Sequence, residues 1–281
     1  MKKRIIVTIV LILLFLTGLS ILLYPVVSDY ANSRSQVRAI ALFREDLAKL
    51  SEADYSEIIE AAREYNQMLM KKPNRFNLSG EDLAEYYTML DFTGRGIIGT
   101  LEIKVIKIKL PIYLGTNEGV LQVGIGHLEG SSLPIGGPGT HSVISGHRGL
   151  PSSTLLTHAD ELEIGDVFVL NILNETLVYE IDRSRIVEPG NFEDLEIDPE
   201  MDYCTLLTCT PYGINSHRLL LRGHRIFPES EERQIVGNNI ILNADARRVG
   251  ILAEYGIVAV PVMVIIMIYV FIKNLKTKGR R

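Results

Sequence analysis

Cysteine is scarce in this sequence: Cys204 and Cys209 are the two it holds among 281 residues. They stand five positions apart in a strand-forming stretch, so their side chains leave opposite faces and lie beyond disulfide reach. A disulfide framework is excluded, and both thiols are left free. Basic runs are missing from the middle of the chain and the formal net charge is −5, which argues against nucleic acid as a partner. No internal repeat or low-complexity tract is visible, so a repeat architecture is excluded. There is no cluster of metal-ligating side chains and no glycine loop to cradle a phosphate. The acidic residues scatter along predicted helices and loops, so neither a metal nor another cofactor is expected.

Long apolar runs, by contrast, stand near both ends. After Lys2, Lys3 and Arg4 an almost unbroken run extends from Ile5 to about Val27, approaching the length of a membrane span. A cleaved signal peptide is the competing reading. No small-x-small cleavage site precedes Asp29, which favours a retained anchor over residues 1–28. A second run, 255–272, is followed by Lys273, Lys276, Lys278, Arg280 and Arg281; Pro261 within it is tolerable in a membrane helix. Basic residues flank the outer end of each run. The positive-inside rule then places both termini in the cytoplasm and everything between them outside. A free thiol in an exported chain without disulfides suggests catalysis by that thiol. Cys204 is expected to be the other kind, a small apolar core residue.

Residues 29–96 carry helical periodicity. Val37, Ile40, Ala41 and Phe43 share one predicted face, and Ile58, Ile59, Ala62 and Tyr65 share another, within a helix from Ser51 to Met70. Ser51 or Ser56 caps that helix, and Lys71-Lys72-Pro73-Asn74 ends it. Ser79-Gly80-Glu81-Asp82 starts a short helix through Tyr86. Residues 97–228 read as β structure. Ile98 to Ile108 alternates, with Leu101, Ile103 and Val105 on one face, and Leu110 to Leu114 follows a tight turn. Val120 to Val123 reads as a helical turn, and Ser153 to Glu163 as a helix packed outside. Further strands are expected at 143–145, 167–172, 177–186, 203–208 and 219–226, with Asn174-Glu175 as a hairpin turn. Many short strands with turn punctuation predict a closed barrel. Residues 229–254 read as a spacer, 255–272 as the second span and 273–281 as a basic tail.

The chemistry concentrates in Thr205-Leu206-Leu207-Thr208-Cys209 and, after a short turn with Pro211 and Gly213, in His217-Arg218. A short connection between neighbouring strands brings Cys209 and Arg218 together. A nearby cation favours the thiolate, and an acyl-transfer nucleophile needs positive charge where the oxyanion forms. Arginine suits that task because its fork donates several hydrogen bonds and keeps its charge. Arg222 shares its face and is the alternative, with Arg148 and Arg225 as further candidates. A proton carrier is also required, and imidazole titrates near neutrality. His147, at the end of a strand running into a glycine-flanked loop, fits best; His141 in the same strand competes. His127, His158 and His224 read as structural or surface residues, and neighbouring His217 faces away from Arg218. The Thr208 hydroxyl either binds substrate or packs within its strand. The loop from Val187 to Asp202 is placed to form a groove wall.

Thr205 to Cys209, His147 and Arg218 together resemble the sortases, most closely the class C, pilus-assembling members. The resemblance runs from about Gly99 to Ile226 through Leu110-Pro111-Ile112-Tyr113, Gly126-His127-Leu128-Glu129-Gly130, Ser145-Gly146-His147-Arg148-Gly149-Leu150-Pro151 and Arg222-Gly223-His224-Arg225. It implies an eight-stranded β-barrel with N-terminal helices, anchored by a transmembrane helix at each end in a Gram-positive cell membrane, with the catalytic domain outside. It implies a cysteine transpeptidase that cleaves an LPxTG-like sorting signal between Thr and Gly through a thioester on Cys209 and joins the acyl group to a pilin lysine. Its partners are then pilins or surface proteins bearing that signal. Attachment of surface proteins to cell-wall peptidoglycan, a non-catalytic pilin scaffold and a thiol hydrolase are the rival readings. The class resembles itself in a lid, an acid-proline-aromatic triplet before the barrel. The matching stretch here is Lys72-Pro73-Asn74-Arg75-Phe76, with Asp91-Phe92 as a second candidate. Phe76 supplies the aromatic, no acid stands in its place, and Arg75 is expected to repel Arg218 and weaken closure.

Overall fold

A computed structural model describes residues 2–227. The expected spacer, second span and basic tail lie outside the described residues. Two units are distinguished, one containing Met1–Ala31 and the other beginning at Asn32. Helix α1 (Lys2–Leu47) runs through the boundary.

In the first unit most apolar residues of α1 stand exposed, Leu14 at 64% and Leu22 at 73%, and the stripe Ile12, Leu16, Leu19 and Leu23 is half-buried. From Ile5 to Val27 this amounts to roughly 35 Å of helix at about 1.5 Å per residue, enough for the hydrocarbon core of a bilayer. It is the one described helix long and apolar enough to cross a membrane.

In the second unit the rest of α1 buries Gln36, Ile40 and Phe43. Val37 is 65% exposed and Ala41 also faces outward, contrary to the periodicity. The reason is Gln36, a polar residue on the buried stripe: its amide donates to the Val123 carbonyl (2.9 Å) and to Ser153 Oγ (3.3 Å). Helix α2 (Glu52–Lys71) begins at Ser51, whose hydroxyl accepts from Asp54 N while the Asp54 carboxylate accepts from Ser51 N. Such a cap is worth about 1 kcal/mol. The helix buries Ile59, Ala62, Tyr65, Asn66 and Leu69. Ser79 and Asp82 repeat the reciprocal cap on α3 (Gly80–Tyr86).

Eight strands then close into a barrel: β1 (Ile97–Ile103), β2 (Ile108–Leu114), β3 (Ile125–His127), β4 (Thr140–Ser145), β5 (Val167–Ile172), β6 (Glu175–Val187), β7 (Asp202–Thr210) and β8 (His217–Ile226). Their order around the barrel is β1-β2-β3-β4-β7-β8-β6-β5. The pairs β2–β3 and β4–β7 are parallel and the others antiparallel. A short helix α4 (Glu118–Val123) leads into β3.

The expected first strand is too long. It ends at Ile103, the chain turns through 104–107 with Lys107 at φ 55, and Val105 is 54% exposed. The adjacent apolar pair Val105-Ile106 breaks the alternation at this turn, a signal that the apolar residues on either side outweigh. Residues 153–163 form no external α-helix either. They make turns and one 3-10 turn, and Leu155, Leu156, Ala159 and Leu162 are buried. Leu155 at φ 38 interrupts the helix and lets the segment turn its leucines into the core. The hairpin turn falls one residue earlier than expected, with β6 already starting at Glu175. Strand β3, at three residues, is too short to show alternation.

The main core fills the barrel, with Phe168 and Tyr179 stacked at 5.5 Å and Cys204 fully buried among its apolar neighbours. Burial holds the Cys204 thiol far above the ordinary value. A smaller apolar cluster, Val143, Leu195 and Leu220, lies apart from this core, with Phe76 and Leu207 packed against it.

Candidate active site

Alternation along β7 separates its side chains cleanly. Cys204 and Leu206 belong to the barrel core, so Leu207 and Cys209 face the other way. On β8, Leu219 and Leu221 belong to the core, so Arg218, Leu220 and Arg222 share the opposite face. The β7–β8 register sets Cys209 directly opposite Arg218, with Thr208 opposite Leu219 and Thr210 opposite His217. Directly paired residues project on the same side with Cα atoms about 4.5–5.5 Å apart. The thiol and the guanidinium therefore begin from adjacent backbone positions on the outer wall.

His147 arrives from the other flank. The parallel β4–β7 register ends with Ser145 beside Leu207, and Gly146 N donates to the Leu207 carbonyl at 3.1 Å. Carried two residues further, that register brings His147 level with Cys209. His147 Nε2 is buried and has no hydrogen-bond partner among the described residues. An imidazole nitrogen in that state is available to a reacting group, not committed to the scaffold.

Most of the competing residues are committed to partners of the scaffold. His141 Nδ1–H donates to the Glu196 carbonyl and its Nε2 accepts from Thr205 Oγ1, both at 2.8 Å. Burial pushes its pKa down to about 4. His127 donates from Nε2 to the Ser132 carbonyl (2.8 Å), has the Tyr86 hydroxyl at Nδ1 (2.9 Å), and is likewise pushed to about 4 by burial. Arg222 makes a bidentate pair with Asp182 (3.0 and 2.9 Å) and lies over the Tyr203 ring. Arg225 lies over Tyr179 and donates from Nη2 to the Thr176 carbonyl, while its Nε and Nη1 are buried without a hydrogen-bond partner among the described residues. Arg148 is buried against Asp160, the Thr157 carbonyl and Thr210. Arg218 differs from Arg222 and Arg148, which carboxylates hold, and from Arg225 in standing directly across from Cys209. Its Nη1 donates to the carbonyls of Asn215 (3.3 Å) and His217 (3.2 Å), and among the described residues no carboxylate pairs with it.

Thr208 lies 2% exposed, and its hydroxyl donates to the Gly146 carbonyl at 2.7 Å. It points away from the outer face that carries Cys209, so a substrate contact from this hydroxyl is not what the geometry offers. Within residues 188–201, the expected wall, Leu195 is buried on the outer cluster beside Val143 and Leu220.

The stretch matching the lid lies against that same wall. Asn74 turns the chain at φ 52. Arg75 is 5% exposed and donates from Nη2 to the Leu195 carbonyl (2.5 Å), with Glu196 at 3.7 Å. Burial lowers the Arg75 pKa, opposed by the Glu196 charge. Phe76 stacks on Phe192 at 4.3 Å. The repulsion expected between Arg75 and Arg218 therefore has no counterpart, because the Arg75 guanidinium is turned into the wall and neutralised there. Gly130 permits this approach: a Cβ on it would stand 2.2 Å from the Arg75 carbonyl. The second lid candidate is a turn. Asp91 accepts from Gly96 N and Arg95 N, and Phe92 packs on Phe43.

Comparison with known proteins now decides the family. The sortase domain model matches residues 101–226. Sortase C1 of Streptococcus agalactiae is 47% identical in sequence, and the match covers 68% of this chain and 100% of that one with a TM-score of 0.66. The chain belongs to the sortase family. Sortase C of Streptococcus pneumoniae is 43% identical, with 68% of this chain and 97% of that one covered at a TM-score of 0.62. Sortase D of Bacillus subtilis is 32% identical over 131 residues, which are 46% of this chain and 63% of that relative. The chain thus matches less than two thirds of that sortase's length. Solved sortases of the C class are among those to which it is similar, as the TLxTC stretch and its flanking strings imply.

Sequence reasoning missed two contributors to the site. One is Leu195, which carries no motif and sits in a loop. The other is the set of bonds that Arg148 makes; the sequence marks it only as a cation beside His147.

Proposed function

We propose that this sortase is a membrane-anchored cysteine transpeptidase that polymerises pilins. The observation that carries the reading is the convergence of Cys209 and Arg218, paired across β7–β8, with the unpartnered His147 brought alongside from the end of β4. The Cys209 thiolate attacks the threonine carbonyl carbon of an LPxTG-like sorting signal. The oxyanion that forms lies against the Arg218 guanidinium. As the tetrahedral intermediate collapses, the Thr–Gly bond breaks and His147 gives its proton to the leaving glycine amine. A thioester on Cys209 remains. A lysine amine of a second pilin attacks it and yields its proton to His147; the C–S bond breaks and an isopeptide bond is left. No cofactor enters this sequence of steps.

Pilin as the substrate is supported by the similarity to the pneumococcal sortase C, whose structure bears on pilin substrate specificity. Membrane attachment is supported by the exposed apolar length of α1. The anchor holds the barrel outside a Gram-positive cell, next to pilins still in the membrane. Incubating the full chain in detergent with an LPxTG-type peptide and a lysine-bearing pilin fragment tests the transfer. The expected product is the fragment joined through a lysine side chain to the peptide cut after threonine, identified by mass spectrometry. Release of the cut peptide to water alone, at every fragment concentration, contradicts it.

A further inference from the structure

Backbone pairing between β4 and β7 stops two residues short of the chemistry, at Ser145 and Leu207. Side chains take over beyond that point. On one side of the reacting pair, Thr208 Oγ1 donates to the Gly146 carbonyl at 2.7 Å. On the other, Arg148 Nη1 donates to Thr210 Oγ1 at 3.2 Å. Gly146 and Arg148 flank His147, and Thr208 and Thr210 flank Cys209. We propose that Thr208, Thr210 and Arg148 are positioning residues that hold His147 level with Cys209 where the strand ladder no longer does. The proposal rests on His147 and Cys209 being the proton carrier and the nucleophile.

The geometry suits a rigid brace. Thr208 and Thr210 are 2% and 7% exposed, and Arg148 is 8% exposed. Arg148 is fixed at every nitrogen: Nη2 meets Asp160, Nε donates to the Thr157 carbonyl (3.1 Å), and Nη1 holds Thr210. A guanidinium pre-organised in this way loses little freedom when it bridges. The backbone of the His147 turn is held as well. Leu156 N donates to the His147 carbonyl (3.2 Å), and Gly149 N donates to Thr157 Oγ1 (3.3 Å). Gly149, at φ 78, leaves 3.0 Å between a built Cβ and the Tyr212 ring, which closes the turn against the β7–β8 loop. Yet the imidazole itself makes no bond from Nε2. The scaffold fixes where the ring starts and leaves its proton chemistry free. Proton transfer to a leaving group depends steeply on such placement, and a shift of about 1 Å costs about a hundredfold.

Thr208→Val and Thr210→Val, made in the full chain in detergent micelles, each remove one hydroxyl and keep the branched shape. For transfer of an LPxTG-type peptide, kcat is expected to fall about tenfold in each while KM stays within about twofold. The Tm is expected to fall by a few degrees, because a buried carbonyl or guanidinium N–H loses its partner, and the Cys209 alkylation rate with iodoacetamide, read well below that transition, is expected to match the parent. In chains with labelled histidine, the His147 imidazole NMR signal is expected to shift or broaden in both variants. Unchanged kcat in both overturns the proposal, as does a loss of kcat no larger than the unfolded fraction at the assay temperature accounts for. A parent chain without transfer activity would sink the functional reading instead. The His147 signal would still decide the brace, because an unmoved resonance in both variants overturns it whatever the substrate.

Discussion

At the scale of single residues, the site is a matter of which side chains are left uncommitted. Three histidines illustrate it. His127 and His141 have partners at both ring nitrogens, whereas His147 Nε2 has none. A pH dependence follows from the first two. Their folded pKa values lie near 4, below the ordinary histidine value of about 6.5. Between these limits the unfolded chain binds protons that the folded chain refuses, so the contribution is intact above pH 6.5 and is lost as pH falls toward 4. Each histidine contributes a slope of about 1.4 kcal/mol per pH unit in that window. Urea unfolding at pH 7 and pH 5 is expected to show the loss of stability, and His141→Asn is expected to reduce its slope. A flat profile between those pH values would contradict the burial argument. Residue chemistry alone narrows the histidine to His147 or His141, because period two carried on from His141 puts both on one face, although β4 itself ends at Ser145. What separates them is Thr205 and the Glu196 carbonyl, partners 64 and 55 positions away.

At the scale of elements, the segment from Lys72 to Leu78 behaves as part of the wall. Arg75 is tied to the Leu195 carbonyl and Phe76 is stacked on Phe192, so both residues hold the loop after β6. Phe76 packs against the same outer cluster as Leu207, which lies two residues from Cys209 on the same face. Arg75→Ala leaves the buried Leu195 carbonyl without its donor, a cost of about 1–3 kcal/mol, and loosens the stack. Alkylation of Cys209 by iodoacetamide is expected to be several-fold faster in this variant. An unchanged rate would show that the segment does not shield the thiol. The element pattern was legible where strands were long: β5 stands where its apolar run ends, and Cys209 faces Arg218 because a short turn leaves little freedom of register. It was not legible where tertiary contacts override periodicity, as in the turn at 104–107, in the buried leucines of residues 153–162, and along α1, where Gln36 occupies a core position.

At the scale of the whole chain, the barrel brings together residues from distant parts of the sequence without using its own interior. The core holds Cys204 and the apolar faces of β7 and β8, while Cys209, Arg218 and His147 belong to the outer wall. The closed barrel and the class of relatives could be read from Thr205 to Cys209, His147, Arg218 and the strings around them. The contacts of Arg75 could not, because the sequence shows a charge without showing which carbonyl it meets. The measurement that bears most directly on the account is the mass of the full chain after brief exposure to an LPxTG-type peptide and an acid quench. A thioester carrying the peptide up to its threonine, on Cys209 and absent from Cys209→Ala, is the predicted result. A thiol that reacts with iodoacetamide yet acquires no acyl group from any sorting-signal peptide or intact pilin would contradict it.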